Sequence, residues 1–272
     1  MKTSPTAKFC VLCILGLTLQ SAPSMAQTQP DAITGSPSTS SEASKNASLS
    51  FNLGAVTDYR YRGISQTGFK PTLQGGADFI DADNSWYFGT WLSGITWIRD
   101  TPNAGRTPIE WDLYLGKKTE IAEGYVLDLG LLEYVYAQNH LNQIGLNNAN
   151  TLELYTQLSY GGSSLKLSHS LSSLFGIVDS KSSQYLDFTQ SFELAPSWTL
   201  SLHAGRQWVS GQNRHLATYN DYKLGISKDF GKGLSLGLAA VGTNAKSQFY
   251  ASPQNGKNLG RSSLVLNLQQ NF

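Results

Sequence analysis

In the stretch TDYRYRG, Asp58, Arg60 and Arg62 stand two residues apart, so on an extended chain the three charges share one face and Tyr59 and Tyr61 take the other. Two guanidinium groups and a carboxylate facing one space can line a constriction or touch a passing solute, and clustered arginines can form an anion-attracting vestibule. The same parity argument places Gln74, Asp78, Glu110, Asp112, Asp128, Glu153, Lys166, Asp187, His203, Asp221, Lys223 and Asp229 opposite the leucine-bearing faces of their segments. Nine acids in this set (Asp58, Asp78, Glu110, Asp112, Asp128, Glu153, Asp187, Asp221, Asp229) outnumber four bases (Arg60, Arg62, Lys166, Lys223). Facing a common interior, they can favour cations in a narrow aqueous path, or pair across it and plug it.

Nucleophilic catalysis would need a serine within about 2.6–3.2 Å of an imidazole. His169 in KLSHSLSS shares its strand face with Leu167 and Leu171, not with Ser168 or Ser170, so a partner would have to come from a neighbouring strand. His140, His203 and His215 lack the i, i+2 or i, i+4 spacing of a metal pair. Residues 231–233, GKG, have neither the Ser/Thr nor the helix that a phosphate loop requires and read as a turn. The residues therefore predict no catalytic, cofactor-binding or metal-ligating set, and no cofactor.

Positioning so many charges on one side requires strands. From Ala47 onward Leu49, Phe51, Leu53 and Ala55 interleave with Ser50, Asn52 and Gly54, the period of two of a strand with one apolar face. Twelve such segments run at roughly 48–61, 72–80, 86–96, 108–116, 125–136, 151–160, 163–171, 184–194, 198–208, 219–229, 233–242 and 262–272. The third has aromatics on both faces, and Arg206 falls on the apolar parity, tolerable only where it can snorkel to a rim. Connections alternate in length, with DADNS, AEG, GG, APS and FGKG marking the clipped ones. Short periplasmic turns alternating with long outer loops is the layout of a single-chain outer-membrane barrel with both termini in the periplasm. The predicted fold class is all-β, a transmembrane antiparallel up-and-down β-barrel of about 12 strands. A soluble all-β sandwich is the competitor, disfavoured by the loop alternation and by strand-end aromatics expected at the membrane interfaces: Tyr59, Tyr61, Tyr114, Tyr134, Tyr136, Tyr160, Trp198, Trp208 and Phe230.

Composition agrees. Charged residues are 14% of the chain, against roughly 25% in soluble domains. Beyond the N-terminal segment no apolar run approaches the roughly 20 residues of a spanning helix. Lys2 and Lys8 precede a short apolar stretch, Phe9 to Leu19, and Ser24-Met25-Ala26 suits a signal peptidase, so residues 1–26 read as a signal peptide. Cys10 and Cys13 fall inside it, which leaves a mature chain without thiols. Removing Lys2 and Lys8 from 20 Lys+Arg leaves 18 against 19 Asp+Glu, a balance that implies no nucleic-acid partner. Residues 27–46 read as a disordered periplasmic tail and 47–272 as the barrel. Leu264, Leu266 and Leu268 alternate up to Phe272, whose terminal aromatic reads as an assembly signal for the barrel-assembly machinery; Gln270 departs from the usual apolar residue two positions earlier.

The stretches LGAVTDYRYRGISQTGFKPTLQGGADF, WYFGTWLSGI, IEWDLYLG, TLELYTQLSYG and DYKLGISKDFGKGLSLGLAAVGTN resemble a TorF-type family of proteobacterial outer-membrane proteins regarded as porins. The resemblance covers essentially residues 47–272, is most specific in the first hairpin, and implies an outer-membrane barrel with a channel role but no map of site residues. The expected function is thus an outer-membrane porin or narrow channel for small solutes with a weak cation preference, sitting among outer-membrane lipid. A barrel-type lipid hydrolase and a plugged structural or adhesion barrel, its longest loop near 244–260 serving as contact surface or lid, stay open as alternatives.

Overall fold

A computed structural model describes residues 46–272. The expected signal peptide, and the tail up to its last residue, lie outside the described residues. Twelve strands form one closed barrel: β1 (Ser48–Val56), β4 (Thr72–Ile80), β5 (Trp86–Gly94), β6 (Ile109–Ala122), β7 (Tyr125–Val135), β8 (Thr151–Tyr160), β9 (Ser163–Ser170), β10 (Gln184–Ala195), β11 (Trp198–Trp208), β12 (Tyr219–Gly231), β13 (Leu234–Thr243) and β14 (Ser263–Asn271). The remaining two, β2 (Arg60–Tyr61) and β3 (Ile64–Ser65), make a small separate hairpin. Each barrel strand pairs antiparallel with its neighbours, and β1 closes on β14.

The period of two dictates the wall. Along β12, Tyr222, Leu224 and Ile226 are exposed on the outside while Asp221 and Lys223 are buried within. Leu53, Leu73, Phe88, Leu115, Leu154 and Leu202 continue the exposed apolar belt around the barrel. Among the described residues no helix is long and apolar enough to cross a membrane; a closed sheet, which leaves no backbone group unpaired, crosses instead. An apolar exterior around a polar interior is the architecture of bacterial outer-membrane proteins, and this chain resides in that membrane.

Both rims carry amphipathic pairs. At the short-turn end Tyr125 stacks on Tyr160 with centroids 4.3 Å apart, and Lys228 lies 5.2 Å from the rings of both Trp198 and Phe230. At the long-loop end Arg206 sits over Trp208 and donates to Asn220 at 2.9 Å, the snorkelling its apolar parity demands. The remaining expected belt residues go elsewhere: Tyr59, Tyr61, Tyr114, Tyr134 and Tyr136 are buried inside the barrel. Tyr114 shares the parity of Glu110 and Asp112, and Tyr134 that of Asp128, so the pleat turns them inward with the carboxylates.

The long connections, 57–71, 95–108, 136–150, 171–183, 209–218 and 244–262, gather at one end and the short turns at the other. The first strand, expected to reach residue 61, stops at Val56. The chain then folds back on itself as the β2–β3 hairpin, whose tip residues Arg62 and Gly63 both have positive φ, 45° and 76°, the two-residue turn that matches hairpin twist. A Cβ on Gly63 would lie 2.4 Å from Thr243 Cγ2, so the tip of β2–β3 is pressed against the barrel wall.

Candidate functional site in the barrel lumen

The hairpin is built around Asp58, whose carboxylate accepts from Arg60 Nε at 2.5 Å, Ser65 Oγ at 2.6 Å and Thr67 Oγ1 at 3.1 Å. Arg60 spends its other donors on the carbonyl oxygens of Gly63, Leu259 and Arg261 and on Ser263 Oγ, tying the last long loop and β14 to the hairpin. Burial pulls Arg60 down from its ordinary pKa while the adjacent Asp58 opposes the shift. Neither arginine stands on strand one, as the sequence suggested; both ride on the inward hairpin and are almost completely buried.

Arg62 crosses the lumen. Its guanidinium donates to both oxygens of Glu153 on β8, at 2.7 and 2.9 Å, and to Gln207 Oε1 on β11 at 2.6 Å, while resting 4.3 Å from the Tyr185 ring. In the closed order of strands β8 lies nearly opposite β1, so this one side chain joins the two sides of the wall. Tyr59 donates to Glu110 Oε1 at 2.5 Å, and Tyr136 donates to the other oxygen of the same carboxylate. Burial, and then the Glu110 charge, push the Tyr59 phenol well above its ordinary pKa, so it remains a donor. Tyr61 and Tyr134 meet hydroxyl to hydroxyl at 2.9 Å.

The last long loop packs on this hairpin. In the 244–262 loop a short helix (Ser247–Tyr250) brings Tyr250 edge-on to Tyr219 at 5.0 Å and its hydroxyl to Ala217 O at 2.5 Å. Tyr250 and Leu259 pack against the buried cluster of Ile64 from the hairpin, Tyr219 and Ala245, and Phe249 against the neighbouring loop cluster of Leu174, Val209 and Ala217.

Deeper in the barrel the predicted charges do face inward. Asp128 accepts from Tyr87 at 2.6 Å, Tyr87 meets the Tyr155 hydroxyl, and Lys166 lies 4.3 Å from the Tyr155 ring. Asp78, half-buried, accepts from Tyr114. His203 bridges two carboxylates, Nε2 to Asp221 at 2.7 Å and Nδ1 to Asp187 at 3.2 Å, beside Lys223 on β12. Asp112 is fully buried, with no hydrogen-bond partner among the described residues on either carboxylate oxygen, and Gln74 donates to Ser93 Oγ at 2.9 Å. A Cβ on Gly89 would meet the Tyr114 ring at 2.3 Å: the tyrosine lies flat against the wall because its neighbour has no side chain.

Two assignments change. Asp229 is exposed at the short-turn end, where it accepts from the Gly231 amide at 2.7 Å, so it leaves the lumen inventory. Lys118 joins it, its ammonium 5.4 Å from the Tyr87 ring, because β6 runs to Ala122 and not to residue 116. Eight inward acids (Asp58, Asp78, Glu110, Asp112, Asp128, Glu153, Asp187, Asp221) then face five bases (Arg60, Arg62, Lys118, Lys166, Lys223) and His203, a smaller acidic surplus than the sequence suggested. Tyr87, Tyr155, Tyr185 and Gln207 went unpredicted as site residues, although Tyr155 and Tyr185 share the parity of Glu153 and Asp187. The ambiguous third segment resolves with Tyr87 and Ser93 inward and Trp86, Phe88 and Leu92 outward. His169 stands beside Gln184, its ring nitrogen 3.5 Å from the amide.

These features define an outer-membrane β-barrel with the fold of porins. The KdgM porin aligns over 82% of this chain and 99% of its own with a TM-score of 0.50 at 6% identity, and the NanC porin over 82% and 98% with a TM-score of 0.50 at 9% identity. At such identities the likeness establishes the fold alone. The chain itself belongs to the Gcw_chp family, described as "Bacterial protein of unknown function", which matches residues 40–272. No curated protein matches it in sequence.

Proposed function

We propose that this barrel is an outer-membrane channel for small solutes with a weak cation preference, closed in the present conformation by its own first hairpin. The observation that carries the reading is the contact of Arg62 with Glu153 and Gln207: a plug held across an acid-rich lumen by a few polar groups. Charge-assisted hydrogen bonds are worth roughly 1.5–3 kcal/mol each, so the hairpin can be fixed firmly without being part of the wall. The TorF-type resemblance, which assigns such proteins a channel role, agrees. With the hairpin displaced, the surplus of inward carboxylates would concentrate cations and lose that advantage at high salt.

The test is conductance of refolded protein in planar bilayers, comparing the intact chain with one in which residues 58–69 are replaced by a short Gly-Ser link. The intact protein should open rarely, and the shortened one steadily, with a reversal potential on the cation side. If the shortened barrel, verified as folded, passes no current, the plugged structural barrel becomes the better account. Its supporting observation is the packing of the hairpin under the 244–262 lid.

A further inference from the structure

The lipid-facing wall has a slot at the barrel seam. Ala55 is paired with Leu73 of β4 on one side and Leu268 of β14 on the other, so two leucines rise beside one small residue. Leu266 and, across from Leu268, Leu236 of β13 extend the walls. The resulting groove measures about 370 Å³ and ends at Thr57 and Pro71, on the long-loop side.

That end is cationic. Lys70 precedes Pro71, and the Arg261 guanidinium lies 4.2 Å from the ring of Phe69, which Arg60 approaches at 5.0 Å on its own account. Arg60 has Asp58 as counter-ion, but among the described residues neither Lys70 nor Arg261 makes an ion pair, and both are exposed. The acid in this corner, Asp100, lies beside Gly68 and takes the Thr96 hydroxyl at 2.7 Å. Two exposed cations thus stand near the long-loop end of an apolar slot.

Lipid tails are as apolar as leucine, so the slot offers a chain a matching shape but little free energy over bulk bilayer. Selectivity has to come from the headgroup, where lysine and arginine make charge-assisted hydrogen bonds to phosphate and basic surface clusters recognise anionic lipid heads. We propose that this seam holds a phosphorylated lipid of the outer leaflet, its phosphate between Lys70 and Arg261 and one acyl chain in the slot over Ala55. The site is separate from the lumen and does not depend on whether the barrel conducts.

The experiment is native mass spectrometry of the refolded full chain in neutral detergent, titrated with phosphorylated lipid A and with the same lipid after removal of its phosphates. The intact protein should retain the phosphorylated form at least about tenfold more tightly, the consequence of one charge-assisted contact. The double variant Lys70→Gln/Arg261→Gln should abolish that difference, and Ala55→Phe, which fills the slot, should weaken retention of the phosphorylated lipid. Lys181→Gln, which removes an exposed cation on another long loop, should leave binding unchanged. Equal retention of the two lipids by the intact protein, or an unaltered preference in the folded double variant, overturns the site. Should the double variant not refold, the comparison of the two lipids on the intact chain decides alone.

Discussion

In the proposed closed channel Arg62 is the residue on which closure would turn, because its guanidinium is buried and its charge is answered chiefly by Glu153. Removing one member of a buried pair strands the other and costs about 3–5 kcal/mol, whereas replacing both by apolar groups is often near neutral. Glu153→Gln should therefore destabilise the closed barrel by about that amount in denaturant titration and raise its open probability, while Arg62→Met/Glu153→Leu should lose much less stability and still release the polar latch. Within the lumen, Glu110→Gln with Asp112→Asn should reduce cation preference, read as a shift of reversal potential towards zero under a salt gradient. An unchanged reversal potential would mean that ions do not pass these carboxylates.

Among the elements, the hairpin turn at Arg62-Gly63 forms the tip of the first long connection. Gly63 has a φ of 76° and no room for a Cβ beside Thr243 and Asp221, so Gly63→Ala should cost about 1–3 kcal/mol of closure and increase conductance without loss of barrel assembly. The closing strand behaves differently. β1 pairs with β14 only over Asn52–Val56, and Phe272 extends that seam by exchanging backbone hydrogen bonds with Phe51, at 2.9 and 3.4 Å. Changing Phe272 to Asp, or deleting it, should reduce the amount of folded barrel per cell far more than an equally drastic change within residues 27–46. Equal losses would show that the seam closes without its aromatic end.

At the scale of the whole molecule, a closed antiparallel barrel resists detergent until heated, so unboiled and boiled samples should migrate differently on gels and the protein should fractionate with outer membranes. Recovery as a soluble periplasmic species would contradict the lipid-facing belt. The polar interior together with the loop cap also predicts that any cation preference of the opened barrel is weak and fades at high salt, since the eight inward acids are largely offset by five bases and His203.

The strand count, the two faces and the sidedness of the loops were legible because they depend only on neighbours along the chain: side chains alternate with period two, and a charge on the lipid side of mid-bilayer costs about 2–4 kcal/mol for Arg or Lys. Glu110, Asp112, Glu153 and Asp187 could be placed inward on that ground alone, and the same rule, applied consistently, would have turned Tyr114, Tyr134, Tyr155 and Tyr185 inward as well. What Arg60 and Arg62 do was not legible. A two-residue turn changes the direction of the chain, and the parity of β1 ends with its last residue, Val56. Only the closed barrel brings Glu153 and Gln207, far along the chain, within reach of Arg62, and only tertiary packing with the Ile64 cluster brings the polar 244–262 loop onto the hairpin. Pleat and lipid set the wall locally; the contents of the lumen follow from contacts between residues distant in sequence, which local periodicity does not encode.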